Sequence, residues 1–204
     1  MSAPLSRLDS RAIHLPETNI DTDVIFPARF LLKIDREGMD DCLFRDRRIG
    51  MDGASLGHAF DDPALREVQV LIAGAGFGCG SSREQAVWAL VDWGIRLVIA
   101  PDFGDIFAGN ALRNGLLCLR LPAAQCADVG ARAEAGAVFT LDLPARRLSI
   151  GAEQIATLNL SEAEVQAFAE GWDEIDVILN RELAEIHRFE AHHRTSQPWL
   201  FDLA

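Results

Sequence analysis

The chain has 204 residues, a length that suits one domain able to bury its own core. Its formal charge of −12, from 31 acidic against 19 basic residues, argues against nucleic acid or an anionic membrane as partner. A small anionic substrate stays compatible, because one nearby arginine outweighs a distant net charge. Residues 1–15 contain no apolar run of signal-peptide length, and no later stretch is long enough to span a membrane. The expected location is therefore the cytoplasm.

In chain order, "RAIHLP" predicts a first strand. "ETNIDTDVIFP" begins polar and closes on Pro27, which predicts a structured loop. "ARFLLKI" fits a short helix or an apolar loop. Residues 36–63 are rich in Gly, Asp and Arg with little periodicity, the composition of a mobile segment. From Val68 the pattern changes. "VQVLIAG" is a short β-rich run ending in glycine. "SREQAVWALVDWG" places Ala86, Ala89, Leu90 and Trp93 at i, i+3, i+4 and i+7, one face of a helix that stops at Gly94. "RLVIAP" predicts a second buried strand, "DFGDIFAGNALRNG" a second helix ending at Gly115, and "LLCLRLP" a third strand. Strand, helix, strand, helix, strand with short links describes parallel βαβ units. A helix near Ala123–Ala135 follows, then two strands turning at Pro144 in "AVFTLDLPARRLSI". Residues 161–193 read as helical, and a tail ends the chain. The fold class is α/β with a mixed sheet.

The four cysteines, Cys42, Cys79, Cys118 and Cys126, form no CxxC pair and match no common zinc or iron–sulfur spacing. Cys118, inside "LLCLRL", reads as a buried thiol. The histidines are scattered, and the His192–His193 pair reads as a solvated helix end.

The chemistry concentrates in "FGCGSSRE", residues 77–84, between a strand and a helix. In open α/β sheets, ligands bind at the carboxyl ends of such strands. Gly74, Gly76, Gly78 and Gly80 allow backbone conformations closed to other residues. Ser81 or Ser82, the latter favoured, is placed to cap the helix, whose N-terminus favours an anion. Arg83 adds a planar fork suited to a carboxylate or phosphate. The glycine offsets differ from a dinucleotide fingerprint, and there is no Walker lysine. A glycine-rich turn with a serine cap and a surface ion pair is the plain structural alternative.

The run "GFGCGSSREQA" resembles the small subunit of isopropylmalate isomerase (3-isopropylmalate dehydratase), of the aconitase superfamily. "NIDTDVIFPARFL" is similar to that family's N-terminal substrate loop, "RLVIAPDFGDIFAGNALRNGLL" to its later βα units, and "QPWLF" to its tail, so the likeness covers nearly the whole chain. Gln85 departs from the family's run, which has histidine there.

The resemblance implies a swivelling β/β/α domain over residues 1–204, with a mobile substrate loop at about 28–62 and a C-terminal helical arm at about 161–204. It implies a hydro-lyase of leucine biosynthesis, active as a heteromer with a large subunit. That subunit would carry the [4Fe-4S] cluster, and this chain would bind no metal or cofactor. By similarity Ser81 is the base that takes the substrate proton, as an alkoxide. Asp23 positions the substrate or a proton-carrying group, with an Asx turn as its structural alternative. Ser82 and Arg83 bind substrate, and Phe30, Leu31 and Leu32 face its side chain. Leu32 is apolar where homoaconitate-using relatives tend to carry arginine, which favours isopropylmalate. Two alternatives stay open at this point: a related hydratase subunit of homoaconitase, citraconate or methylmalate type, which Gln85 keeps in view, and a non-enzymatic anion-binding module.

Overall fold

The computed structural model describes residues 3–33, 35 and 37–201. Ile34 of the "ARFLLKI" run, Arg36 at the head of the following segment, and the last three residues of the C-terminal arm lie outside the described residues.

The elements run in the order β1 (Arg7–Ser10), β2 (Ala12–Leu15), α1 (Thr22–Ile25), α2 (Arg45–Arg48), β3 (Val70–Ala73), α3 (Glu84–Trp93), β4 (Leu97–Ala100), α4 (Asp105–Arg113), β5 (Leu117–Arg120), α5 (Ala123–Glu134), β6 (Phe139–Asp142), β7 (Arg147–Ile150), β8 (Glu153–Thr157), α6 (Glu162–Glu170), α7 (Glu174–Arg181) and α8 (Leu183–Ser196). Strands β2-β3-β4-β5 form a parallel sheet in that spatial order, the one expected from the βαβ reading. A second sheet, β1-β6-β7-β8, is antiparallel throughout. The mixed character of the α/β fold thus comes from two sheets, each of one kind.

The central parallel strands are continuous apolar runs because both their faces are covered: every residue of "VLIA" in β3 and "LVIA" in β4 is buried. Successive side chains point to opposite sides. Leu71, Ala73, Val98 and Ala100 join a core with α3, Phe107 and Ala111 of α4, and the 39–60 segment. Val70, Ile72, Leu97 and Ile99 join a second core with α5 and the antiparallel strands, through Val129, Phe139, Leu141 and Leu148.

Three local readings change. Strand β1, "RLDS", and strand β8, "EQIAT", carry no strong hydrophobic alternation, and their partners supply the pairing: β1 registers on β6, β8 on β7. The loop "ETNIDTDVIFP" contains the single turn of helix α1, and "ARFLLKI" a 3₁₀ turn over Ala28–Phe30. The aperiodic 36–63 segment contributes Met39, Cys42, Leu43, Phe44 and Phe60 to the core, held by turns rather than by a long helix.

Candidate functional site

The site is assembled where the loop after β3 meets the loop after β2. Residues 19–22 run beside residues 75–79. The Asn19 amide donates to the Ala75 carbonyl at 2.7 Å, the Gly78 amide to Ile20 at 2.8 Å and the Thr22 amide to Cys79 at 3.0 Å. Asp21 and Cys79 thereby form a parallel bridge. This seam requires glycine at two kinds of position. At Gly74 a Cβ would lie 2.3 Å from the Glu17 carbonyl oxygen, a backbone contact that cannot yield. At Gly78, φ is +70° and a Cβ would lie 2.3 Å from the Phe107 ring. From the next unit, Asp102 Oδ1 accepts the Gly76 amide at 2.6 Å and pins the glycine loop to the end of β4.

Helix α1 has Asp21 as its N-cap, the carboxylate accepting the Val24 amide at 2.8 Å. The Asx role considered for Asp23 therefore falls to Asp21, and the Asp23 carboxylate is left for Arg83, which donates to it through Nη1. The Arg83 side chain is 12% exposed and that of Asp23 52%. Arg83 Nη1 also reaches the Phe26 carbonyl at 3.4 Å. Among the described residues its Nε–Nη2 edge makes no hydrogen bond. That edge is one that a carboxylate can engage with two parallel bonds.

Ser81 and Ser82 are both exposed. Neither caps α3. The helix starts at Glu84, its N-cap is Arg83 in extended conformation, and no side chain bonds the first amides. The serine-cap expectation is corrected here, because the loop stays extended one residue further than the favoured Ser82 cap would have it. The serine hydroxyls are thus not tied to the helix end. The Ser81 backbone, by contrast, is fixed: the Thr22 hydroxyl, buried with its residue 2% exposed, donates to the Ser81 carbonyl at 2.8 Å. Thr22 was missed from sequence. Its only signal was its position between the two aspartates of "DTD". Gln85 sits half-buried in the first turn of α3.

Phe30, Leu31 and Leu32 follow α1 closely in the chain. Phe30 meets Phe26 edge-on with centroids 6.1 Å apart. Phe30 and Leu31 are partly buried, whereas Leu32 is 94% exposed. The structure thus pairs Asp23 with Arg83, seats Ser81 on Thr22 beside Asp23 in the chain, and links Phe30 to Arg83 through Phe26.

Among the described residues no three His, Cys, Asp or Glu side chains converge as a metal-ligand set. Burial pushes the Cys118 thiol up to about 12, far from the thiolate a metal requires. Burial likewise raises Cys42 and Cys126. These residues do not fit an iron–sulfur cluster. No helix among the described residues is long and apolar enough to cross a membrane.

Comparison with known proteins agrees with this geometry. The aconitase C-terminal domain family matches residues 4–124. The 3-isopropylmalate dehydratase small subunit of Rhodospirillum centenum is 42% identical over 89% of this chain and 90% of its own length. The small subunit from Paramagnetospirillum magneticum is 41% identical over 93% and 95%. A crystal structure of 3-isopropylmalate dehydratase from Methanocaldococcus jannaschii superposes with a TM-score of 0.62 at 26% identity, covering 89% of this chain and 99% of that one. With its glycine–serine–arginine loop seated against α1 at the end of a parallel sheet, the chain belongs to the aconitase C-terminal domain family, among the 3-isopropylmalate dehydratase small subunits.

Proposed function

We propose that this chain is the small subunit of an isopropylmalate isomerase, a hydro-lyase that interconverts 2-isopropylmalate and 3-isopropylmalate by removing and re-adding water. The observation that carries this reading is the Asp23–Arg83 pair, which holds a partly buried guanidinium, two residues along the loop from the exposed Ser81, with its Nε–Nη2 edge unused.

The reaction removes a proton from carbon next to a carboxylate, so negative charge builds on that carboxylate. Arg83 binds it through two parallel hydrogen bonds, stabilising the charge as it develops. Asp23 fixes the orientation of the guanidinium. Ser81, as the alkoxide, takes the proton and becomes the hydroxyl. The alkoxide is stabilised only beside positive charge, which Arg83 and the N-terminus of α3 supply from this chain. Ser82 contacts the substrate at the same loop. Phe30, Leu31 and Leu32 form the apolar wall for the isopropyl group, and Leu32, exposed in the chain alone, gains its partner from the substrate. The [4Fe-4S] cluster belongs on a large-subunit partner in the cytoplasm, and no step above passes through it.

The test is anaerobic co-expression of this chain with a candidate large subunit, followed by hydration assays on several unsaturated dicarboxylates. The complex should turn over isopropylmalate, and each subunit alone should be inactive. Turnover confined to citraconate or a tricarboxylate would move the assignment to a related hydratase.

A further inference from the structure

The turn that presents Phe30, Leu31 and Leu32 has little of its own to hold it. Its 3₁₀ segment, Ala28–Phe30, contains no fully buried residue. Its internal bonds are short-range, Leu31 amide to Ala28 carbonyl at 3.1 Å and Lys33 amide to Phe30 carbonyl at 2.9 Å. Outside the turn, Phe30 packs on Phe26 and the Lys33 ammonium donates to the Gly38 carbonyl, and a further tie comes from Arg29. Its Nη1 donates to Asp46 Oδ2 at 2.8 Å and its Nη2 donates to Asp46 Oδ1, a two-pronged fork. The same guanidinium lies over the Phe30 ring, 4.5 Å from its centroid. Asp46 is a fixed post. It stands in α2, next to fully buried Phe44, whose amide donates to Ile25 at 2.8 Å and whose ring packs against His58 and Phe60. Arg48, two residues further along α2, is anchored on Asp61 at 2.7 Å.

We infer that Arg29 and Asp46 are positioning residues for substrate selection: their fork sets the orientation of the Phe30–Leu32 turn against α2 and so sets which substrate side chain the turn accepts. This inference rests on the isomerase reading of the same turn. The Arg29 hydrogen bond lowers the pKa of the carboxyl group from its ordinary value, in keeping with a formed pair. Both partners are exposed, 52% and 61%, so the effect is of the size of a surface ion pair strengthened by bidentate geometry.

The experiment uses Arg29→Gln, Asp46→Asn and the double variant, with Arg132→Gln as control. Arg132 makes a similar exposed fork with Glu153, on β8. Hydrogen exchange of the full chain should show faster exchange at residues 28–33 in both single variants and not in the control. In the complex with the large subunit, kcat/KM for isopropylmalate relative to a tricarboxylate substrate should fall roughly two- to fivefold in each single variant and no further in the double. Unchanged exchange at 28–33, additive losses in the double variant, or an equal loss in the control would each overturn the inference. A parent complex that fails to use isopropylmalate would sink the isomerase reading instead, and exchange would still decide whether the fork orders the turn.

Discussion

The buried hydroxyl of Thr22 donates a 2.8 Å hydrogen bond to the carbonyl oxygen of Ser81, joining the first residue of α1 to the loop that leads into α3. The bond fixes the backbone of the proposed base while leaving its hydroxyl exposed. Thr22→Val keeps the shape and removes the donor, so the Ser81 carbonyl loses its partner. The expected cost is about 1–3 kcal/mol of stability, together with a lower kcat per folded molecule. Calorimetry and turnover normalised to folded protein measure the two effects, and unchanged kcat would show that Ser81 needs no such anchor.

Ser81→Ala should lower kcat by about two to four orders of magnitude, the usual contribution of a positioned proton-transfer group. Because Ser81 does not cap α3, its melting temperature should stay close to the parent value. A variant with normal turnover would remove Ser81 from the chemistry.

Arg83→Lys keeps a positive charge that can reach Asp23 and loses the planar fork. KM should rise and kcat fall, because a compact ammonium cannot reproduce the second parallel bond to a carboxylate. Steady-state kinetics of the complex check this. If only stability changed, the guanidinium would be a structural brace for α1.

Leu32→Arg tests the side-chain wall. Leu32 is 94% exposed in the chain, so the substitution should leave folding intact. A branched alkyl group packed on Leu32 gains roughly 1–2 kcal/mol, which the variant forfeits. A carboxylate at the same place is unpaired beside leucine and paired beside arginine. The ratio of kcat/KM for isopropylmalate to that for homoaconitate-type substrates should therefore fall. An unchanged ratio would place Leu32 away from the substrate.

Stability should also depend on His58. Its Nδ1 accepts the Phe60 amide at 3.3 Å, and its ring packs against both Phe44 and Phe60, which also touch each other. Burial pushes the imidazole below its ordinary 6.5; Arg47 and Arg48 act in the same direction, and Asp61 and Glu17 oppose them. The unfolded chain thus binds a proton at a pH where the folded chain does not. The contribution is complete above about 6.5 and declines as the pH falls from there toward the lower folded value. His58→Asn retains an acceptor for the Phe60 amide and removes the titration. Urea unfolding across this window should show a shallower loss in the variant, and identical slopes would refute the assignment.

Sequence alone determined the parallel half of this protein. Four-residue runs such as "VLIA" and "LVIA" are buried on both faces, and the helical face Ala86, Ala89, Leu90 and Trp93 repeats at the helical period; both are local properties of the chain. Strands β1 and β8 were not legible, because a strand without alternation is defined by the neighbour it pairs with. "GCGSSRE" likewise announced a site by composition. Which groups it would use was decided by the seam between residues 19–22 and 75–79, formed by residues far apart in the chain. That seam gave the capping role to Asp21, released Asp23 to Arg83, freed both serine hydroxyls from α3 and seated Ser81 on Thr22. A carboxylate or hydroxyl can satisfy a local amide or a distant cation equally well in chemical terms, and only the three-dimensional approach of two loops settles which it does.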